Sequence, residues 1–172
     1  MKKRLFVAIQ LPQNLRDVFV DYQENIRRRE IRWTLPENLH ITLCFLGYLE
    51  EEAVAGLIQK FESTCSKVPP FELAFEKIMF APPLKLPRMI WALFSDKGNY
   101  GRLAHTLCGT PHAIAHVTLA RFKDPSLAKG ISLKQPPKEK FTVSSCDLME
   151  SSLSPKGPTY SLAHRFPFAK QQ

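Results

Sequence analysis

Two segments of the chain share a histidine, a threonine two positions later and a leucine directly after that threonine. They read HITLCFLG, residues 40–47, and HVTLARF, residues 116–122. Both are rich in apolar and β-branched residues, which is typical of strands with one buried face. Because the 172-residue chain has only five histidines, the repeat predicts a fold in which each half supplies an equivalent strand.

Alternation along a strand places residues two positions apart on the same face. The first segment should therefore direct His40 and Thr42 one way, and Leu43 and Phe45 the other way into the core. Phe45 is accordingly expected to be a packing residue.

The second segment should direct His116 and Thr118 to one face, opposite Val117 and Leu119. Arg121 has the parity of Val117 in a regular strand. It would reach the face of His116 only if the strand bends or ends before it, and it is otherwise a surface arginine.

Two imidazoles and two hydroxyls that converge in a cleft could act on a phosphate ester. One histidine can act as a base while the other, when protonated, acts as an acid. The threonine hydroxyls can donate hydrogen bonds to phosphate oxygens. A metal site is a weaker interpretation, because neither motif contains an Asp or Glu. A single His-x-Thr is usually structural, but two copies on strands in both halves favour a catalytic pair.

The rest of the chain alternates between strand-like and helix-like segments. Strands are expected at 4–10, from His40 to a stop at Gly47, at 71–80, at 89–94, from His116, and at 141–149 and 159–166. Helices are expected after an Asn14 N-cap, from the acidic run at 50–52, and around 100–108. The polar stretch 123–140 is expected to be a loop.

The composition constrains the partners and the compartment. With 24 Lys+Arg against 16 Asp+Glu, the formal net charge is +8, which favours a nucleic acid partner, although a merely basic surface fits equally well. The four cysteines, at positions 44, 65, 108 and 146, lack metal-binding spacing and are expected to be reduced core residues. No segment has the apolar length of a transmembrane helix, so a soluble cytoplasmic protein without membrane contact is expected.

The motifs resemble those of the two-histidine phosphoesterases, specifically the RNA 2′,3′-cyclic phosphodiesterase branch, also called 2′-5′ RNA ligase or LigT-like. The matching segments are LFVAIQLP (5–12), RWTLPENLHITLCFLG (32–47), PRMIWALF (87–94), HVTLAR (116–121) and SSLSPKGPTY (151–160). Together they span nearly the whole chain. Any one segment alone would be weak, whereas paired HxT motifs in this order are specific. The sequence departs from the family at Ala115, where a proline is usual.

The resemblance implies an α+β fold in which residues 1–172 form one bilobal domain. Two pseudo-duplicated lobes of antiparallel sheet with packed helices would place the active-site cleft between the two HxT strands. It implies hydrolysis of RNA 2′,3′-cyclic phosphate ends to 2′-phosphates, and reversible 2′-5′ ligation, with no metal and no cofactor. His40 would be the proton donor and His116 the proton acceptor. Thr42, Thr118 and Arg121 would bind the phosphate.

Contacts to the rest of an RNA are a weaker expectation. Candidate phosphate contacts are Arg27, Arg28, Arg29, Arg32, Lys134, Lys138 and Lys140, and candidate stacking residues are Trp33, Phe45, Tyr48 and Phe122. At least half of these basic residues are expected to form an ordinary solvated surface. The protein is expected to be a monomer.

Three functional hypotheses remain open at the level of sequence. The first is the cyclic phosphodiesterase on RNA ends. The second keeps the same residues but changes the substrate to another cyclic nucleotide phosphate or a 2′-5′ oligonucleotide. The third is a non-catalytic RNA- or nucleotide-binding module, motivated by the positive charge.

Overall fold

The computed structural model describes residues 1–83, 85–154 and 157–170. In chain order these residues form β1 Lys2–Gln10, α1 Gln13–Asn25, β2 Arg32–Trp33, β3 His40–Glu50, α2 Glu51–Cys65, β4 Phe71–Ala81, β5 Met89–Ser95, α3 Asn99–Cys108, β6 His116–Arg121, β7 Lys140–Val143, β8 Ser145–Ser154 and β9 Gly157–Pro167. Short 3-10 turns lie at Pro36–Asn38 and Pro125–Ala128. None of the helices in these residues is long and apolar enough to cross a membrane.

Antiparallel strands make up the sheet, in the order β7-β4-β5-β6-β3-β1-β8-β9, and β2 adds to β6. The order divides it into a first lobe, β3-β1-β8-β9, and a second lobe, β6-β5-β4-β7. The lobes meet where β3 pairs with β6 at Ile41 and Val117. The predicted α+β fold with two antiparallel lobes and the HxT strands at their junction is confirmed. That residues 1–172 form one domain stays a prediction.

Aromatic contacts show which lobe the first two helices cover. Phe19 of α1 packs edge-on against Phe75 and Phe94 of the second lobe, with ring centroids 5.6 and 6.1 Å away. Phe61 of α2 packs against Phe166 of β9 in the first lobe at 5.7 Å. Since all of these rings are buried, each lobe of the sheet is anchored on one face by a helix.

Several predicted boundaries are wrong. Gly47 does not end its strand. This glycine has a φ of +76° and follows a bulge at Leu46, and β3 continues beyond it to Glu50. The predicted strand 141–149 is two strands, because β7 pairs with β4 in one lobe and β8 pairs with β1 in the other. Asn14 is not an N-cap, since α1 begins at Gln13 after Pro12.

The cysteine prediction is partly wrong. Cys44 of β3 and Cys108 at the end of α3 form a disulfide across 64 residues of sequence, with their Cα atoms 6.3 Å apart. That separation is within the usual range for such a bridge. Cys65 and Cys146 are free buried thiols with their sulfur atoms 3.7 Å apart.

Candidate active site

A cavity of about 420 Å³ lies at the junction of the two lobes. All five site residues predicted from the sequence line it: His40, Thr42, His116, Thr118 and Arg121. The fold therefore brings together residues of β3 and β6 that lie far apart in the sequence. A cavity of this size is typical of small-ligand sites.

A β-bulge follows the threonine in both strands. In β3, Ala8 pairs with Thr42 and Val7 with Cys44, so that Leu43 is the extra residue. In β6, Trp91 pairs with Thr118 and Ile90 with Ala120, so that Leu119 is the extra residue. Both leucines are buried. The leucine common to the two motifs is thus the residue that bulges into the core.

Each bulge reverses the alternation beyond it and changes which side chain faces the cavity. In β6, Arg121 shares the face of His116 and Thr118, and it lines the cavity. In β3, Phe45 faces the same side as Thr42. The prediction that Phe45 packs in the core is therefore wrong: the side chain is 72% exposed and lines the cavity.

Polar side chains from two helices bond the carbonyl groups at these bulges. The Tyr100 hydroxyl of α3 donates to the Thr42 carbonyl at 2.6 Å. The Gln23 amide of α1 donates to the Leu119 carbonyl at 2.9 Å, and the Thr34 amide donates to the same oxygen at 3.0 Å. Buried carbonyl groups that leave the strand ladder need such donors, so α1 and α3 support the bulges.

His40 is enclosed by aromatic rings and held by the backbone. Its Nδ1 lies 2.7 Å from the Asn38 carbonyl oxygen, which can only accept, so Nδ1 carries a proton. Its Nε2 lies 3.1 Å from Oγ1 of Thr42. The rings of Phe6 and Tyr160 lie 5.1 and 5.3 Å from the imidazole. Burial, followed by the nearby charges of His116 and Arg16, lowers the pKa of His40 to about 4 despite the backbone hydrogen bond, which raises it.

His116 repeats this backbone contact on the other strand. Its Nδ1 lies 2.8 Å from the Ile114 carbonyl oxygen, again two residues earlier. Its ring stacks on Trp91 with centroids 3.8 Å apart and an interplanar angle of 24°. Burial and the Arg121 charge lower the pKa of His116, opposed by the backbone hydrogen bond. Both rings therefore keep Nε2 for the cavity and are neutral at pH 7 when no anion is bound.

The charge of the cavity favours anions. Its lining includes Arg4, Arg32 and Arg121. No Asp or Glu is found among the described residues that line it. Within residues 1–83, 85–154 and 157–170, no group of three His, Cys, Asp or Glu side chains could hold a metal ion. The Thr42 and Thr118 hydroxyls and the arginines are the groups suited to phosphate oxygens.

Sequence reasoning missed several lining residues. Tyr160 comes from β9, and Arg4 comes from β1. Tyr160 ends the segment 151–160, which resembles the family. That resemblance was a signal that could have placed Tyr160 in the cavity. Arg4 has no motif around it. It reaches the cavity because β1 lies next to β3 in the sheet.

The other candidates are divided between the cavity and the rest of the molecule. Of the proposed stacking residues, Trp33 lines the cavity, Phe122 is buried in the core and Tyr48 is exposed outside the lining. Outside the residues that line the cavity also lie the lysines at 134, 138 and 140 and the histidines at 105, 112 and 164. Lys140 instead lies 3.0 Å from Glu72, and His164 lies 2.9 Å from Glu62.

Comparisons with known proteins agree with this geometry. A family model described as LigT like Phosphoesterase matches residues 9–91, which include the first histidine motif. An Archaeoglobus fulgidus protein named RNA 2′,3′-cyclic phosphodiesterase is 28% identical over 170 residues, covering 91% of this chain and 96% of its own. A protein of the same name from Thermus thermophilus is 28% identical, covering 95% of this chain and 89% of its own.

Solved structures share the fold over almost the whole chain. A crystal structure of a Thermus thermophilus protein has a TM-score of 0.82 at 27% identity, covering 98% of this chain and 100% of that one. E. coli LigT complexed with NADP+ has a TM-score of 0.82 at 23% identity, covering 99% and 100%.

The two-lobed antiparallel sheet with an HxT strand from each lobe at one cavity is the arrangement that the resemblance to the two-histidine phosphoesterases implies. Within these comparisons, the chain is similar to the LigT-like phosphoesterases, in sequence over residues 9–91 and in fold over almost its whole length.

Proposed function

We propose that this phosphoesterase hydrolyses 2′,3′-cyclic phosphates at RNA ends to 2′-phosphates, with His40 and His116 as the acid–base pair and without a metal. The observation that carries the proposal is that two imidazoles from neighbouring strands line one cavity together with arginines. Each imidazole donates Nδ1–H to a carbonyl oxygen, so Nε2 is the atom that can exchange protons with a substrate.

The proposed reaction is an in-line displacement at phosphorus. His116 Nε2 accepts a proton from water as the water oxygen forms its bond to phosphorus. The bond from phosphorus to the 3′-oxygen breaks, and protonated His40 gives its Nε2 proton to that oxygen. The Thr42 and Thr118 hydroxyls and the Arg121 guanidinium bind the non-bridging oxygens. The product is a 2′-phosphate monoester with a free 3′-hydroxyl.

Because the pKa of His40 is lowered, His40 can act as an acid only if the substrate stabilises its charged form. His40 is neutral at pH 7 in the free protein, whereas an acid must be charged. A cyclic phosphate diester carries one negative charge, and an anion beside an imidazole stabilises the imidazolium. Substrate binding therefore supplies the charge that converts His40 into an acid, which couples protonation to the presence of the phosphate.

The names of the relatives support the same substrate. The proteins from Archaeoglobus fulgidus and Thermus thermophilus are named RNA 2′,3′-cyclic phosphodiesterase. A 5′-hydroxyl group in the place of water would give a 2′-5′ linkage through the same groups, so ligation is a further expectation of this site.

The test is hydrolysis of a short RNA that ends in a 2′,3′-cyclic phosphate, with EDTA present. The wild type should form only the 2′-phosphate, and His40→Ala should lose the activity. His105→Ala is the matched control, because His105 is an exposed histidine outside the lining. Thermal unfolding of each variant checks that it is folded.

Three results would overturn the proposal. They are activity that requires added metal, activity that survives in His40→Ala, or formation of a 3′-phosphate. RNA binding without any turnover would instead favour a binding module.

A further inference from the structure

A second cavity of about 650 Å³ adjoins the first. Its lining includes Arg29, Glu30, Arg32, Lys123, Ser154 and Gly157. Arg32 and Gly157 also line the cavity of the two histidines, so the two spaces share a wall. The two histidines, the two threonines and Arg121 line only the first cavity. The proposed hydrolysis makes no use of the second cavity.

The cations of the second cavity lack the partners that neighbouring basic residues have. Arg27 pairs with Glu24, and Arg28 donates to the Gly130 carbonyl at 2.8 Å. By contrast, Arg29, Arg32 and Lys123 make no ion pair and no side-chain hydrogen bond to any residue that the structure describes. Three unpaired cations against the one carboxylate of Glu30 make this cavity suited to an anion.

Arg32 stands at the junction of the two cavities. It lies opposite Arg121 in the β2–β6 pair, and like charges opposite each other across strands repel unless an anion lies near them. Gly157 leaves room for the guanidinium: a Cβ at that position would lie 3.0 Å from Nη2 of Arg32, and its φ is +121°. The glycine thus leaves space for the Arg32 guanidinium at the wall that the two cavities share.

We propose that the second cavity binds the nucleotide that precedes the terminal one, with Arg29, Arg32 and Lys123 around the phosphodiester that joins the two. This inference rests on the proposed function. When the cyclic phosphate lies between the histidines, the chain continues from the 5′-oxygen of the terminal ribose. The first cavity, of about 420 Å³, shares Arg32 and Gly157 with the second, so the RNA chain can continue past these two residues. Beyond this shared wall, the second cavity presents the further cations Arg29 and Lys123. The substrate class is therefore an oligoribonucleotide rather than a mononucleotide.

The experiment compares a 2′,3′-cyclic mononucleotide with di- and trinucleotides that end in the same cyclic nucleotide. For the wild type, the first added nucleotide should raise kcat/KM at least about tenfold, mainly through KM, as expected for one charge-assisted phosphate contact. In Arg29→Gln/Lys123→Gln, the ratio of dinucleotide to mononucleotide kcat/KM should fall by about tenfold. The dependence of log(kcat/KM) on log[salt] should also become shallower by about one for each lost phosphate contact.

The matched control is Lys60→Gln/Lys67→Gln. It removes the same two charges from exposed residues outside both linings, and it should keep the wild-type ratio. Equal kcat/KM for mono- and dinucleotide in the wild type would overturn the inference while leaving the proposed function intact. An unchanged ratio in Arg29→Gln/Lys123→Gln, or an equal fall in the control, would overturn it too. If neither substrate were hydrolysed, the proposed function would fail and the inference with it.

Discussion

The two histidine strands, β3 and β6, use one backbone design with different surroundings. Both place a histidine and a threonine on one face, bulge at the following leucine and bond Nδ1 to a carbonyl two residues earlier. Beyond the bulge, β3 presents Phe45 and β6 presents Arg121. In the proposed reaction, the repeated part supplies the groups for proton transfer, and the part that differs supplies the groups that recognise the substrate.

The surroundings extend this difference. His40 has Phe6 and Tyr160 beside it, whereas His116 stacks on Trp91 and shares its face of the strand with Arg121. The β3 side of the cavity is therefore aromatic and suited to stacking on a nucleobase. The β6 side presents Arg121 and is suited to phosphate. If both histidines transfer protons as proposed, the duplicated strand keeps its acid–base group and changes its recognition group through the side chain two residues beyond the bulge.

The largest expected effect comes from removing either histidine. His40→Ala and His116→Ala should each lower kcat by about 10²–10⁴-fold, which is the usual contribution of one proton-transferring group. A substrate with sulfur in place of the 3′-oxygen separates the two roles, because a thiolate leaves without needing a proton. This substrate should restore much of the activity of His40→Ala and none of that of His116→Ala. Restoration of His116→Ala instead would exchange the acid and the base.

Arg121 and Phe45 should have smaller effects of different kinds. Arg121→Gln should lower kcat/KM about 10–100-fold, because it removes a charge-assisted contact to phosphate. Phe45→Ala should raise KM about 5–100-fold, because base stacking contributes about 1–3 kcal/mol.

A cyclic phosphate of ribose that lacks the base distinguishes these two effects. The Phe45→Ala effect should disappear on this substrate, and the Arg121→Gln effect should remain. Tyr48→Ala is the control, because Tyr48 is an exposed aromatic residue of the same strand outside the lining. If Phe45→Ala raised KM equally for the substrate without a nucleobase, the proposed distinction between an aromatic β3 side and a cationic β6 side would be wrong.

The pH dependence should reflect two lowered histidine pKa values. The kcat/KM profile reports the free protein, and the active form has one neutral and one charged imidazole. Burial lowers the pKa of His40 to about 4 and also lowers that of His116 below its ordinary value of 6.5. Activity should therefore fall about tenfold per pH unit below the lower of these two pKa values and above the higher one, and both lie below 6.5.

The maximum of kcat/KM should accordingly lie on the acid side of pH 6.5. Bound phosphate favours the imidazolium, so the kcat profile should lie at higher pH than the kcat/KM profile. Measuring both profiles from pH 3.5 to 9 checks the expectation. A kcat/KM maximum at pH 7 or above would show that the aromatic surroundings of His40 do not keep it neutral.

Local rules explain how much of this site could be predicted. The shared faces of His40 with Thr42 and of His116 with Thr118 follow from strand geometry over three residues, and the cavity lining agrees with them. The faces of Phe45 and Arg121 depend on bulges, which are set by pairing with β1 and β5. No pattern within either motif records that pairing.

The donors that support the bulges are equally remote from the motifs. Tyr100 is 58 residues from Thr42, and Gln23 is 96 residues from Leu119. The same reason explains the other errors. The division of 141–149 depends on which lobe each half joins, and the Cys44–Cys108 disulfide depends on where α3 lies against β3.

The smallest expected effects concern the side chains that support the bulges. Tyr100→Phe leaves the Thr42 carbonyl without its hydroxyl donor and should lower the free energy of unfolding by about 1–2 kcal/mol. Gln23→Met should cost about as much or less, because the Leu119 carbonyl keeps the Thr34 amide as a donor. Urea unfolding measures both.

If the bulges set the positions of Phe45 and Arg121, each variant should also raise KM a few-fold, and the two variants should differ in the substrates that they affect. Tyr100→Phe should act only on substrates with a base, through Phe45, and Gln23→Met should act on base-free and base-bearing substrates alike, through Arg121. Lower stability with unchanged KM in both variants would mean that burial of Leu43 and Leu119 alone sets the bulges. The polar side chains of α1 and α3 would then hold the fold without tuning the site.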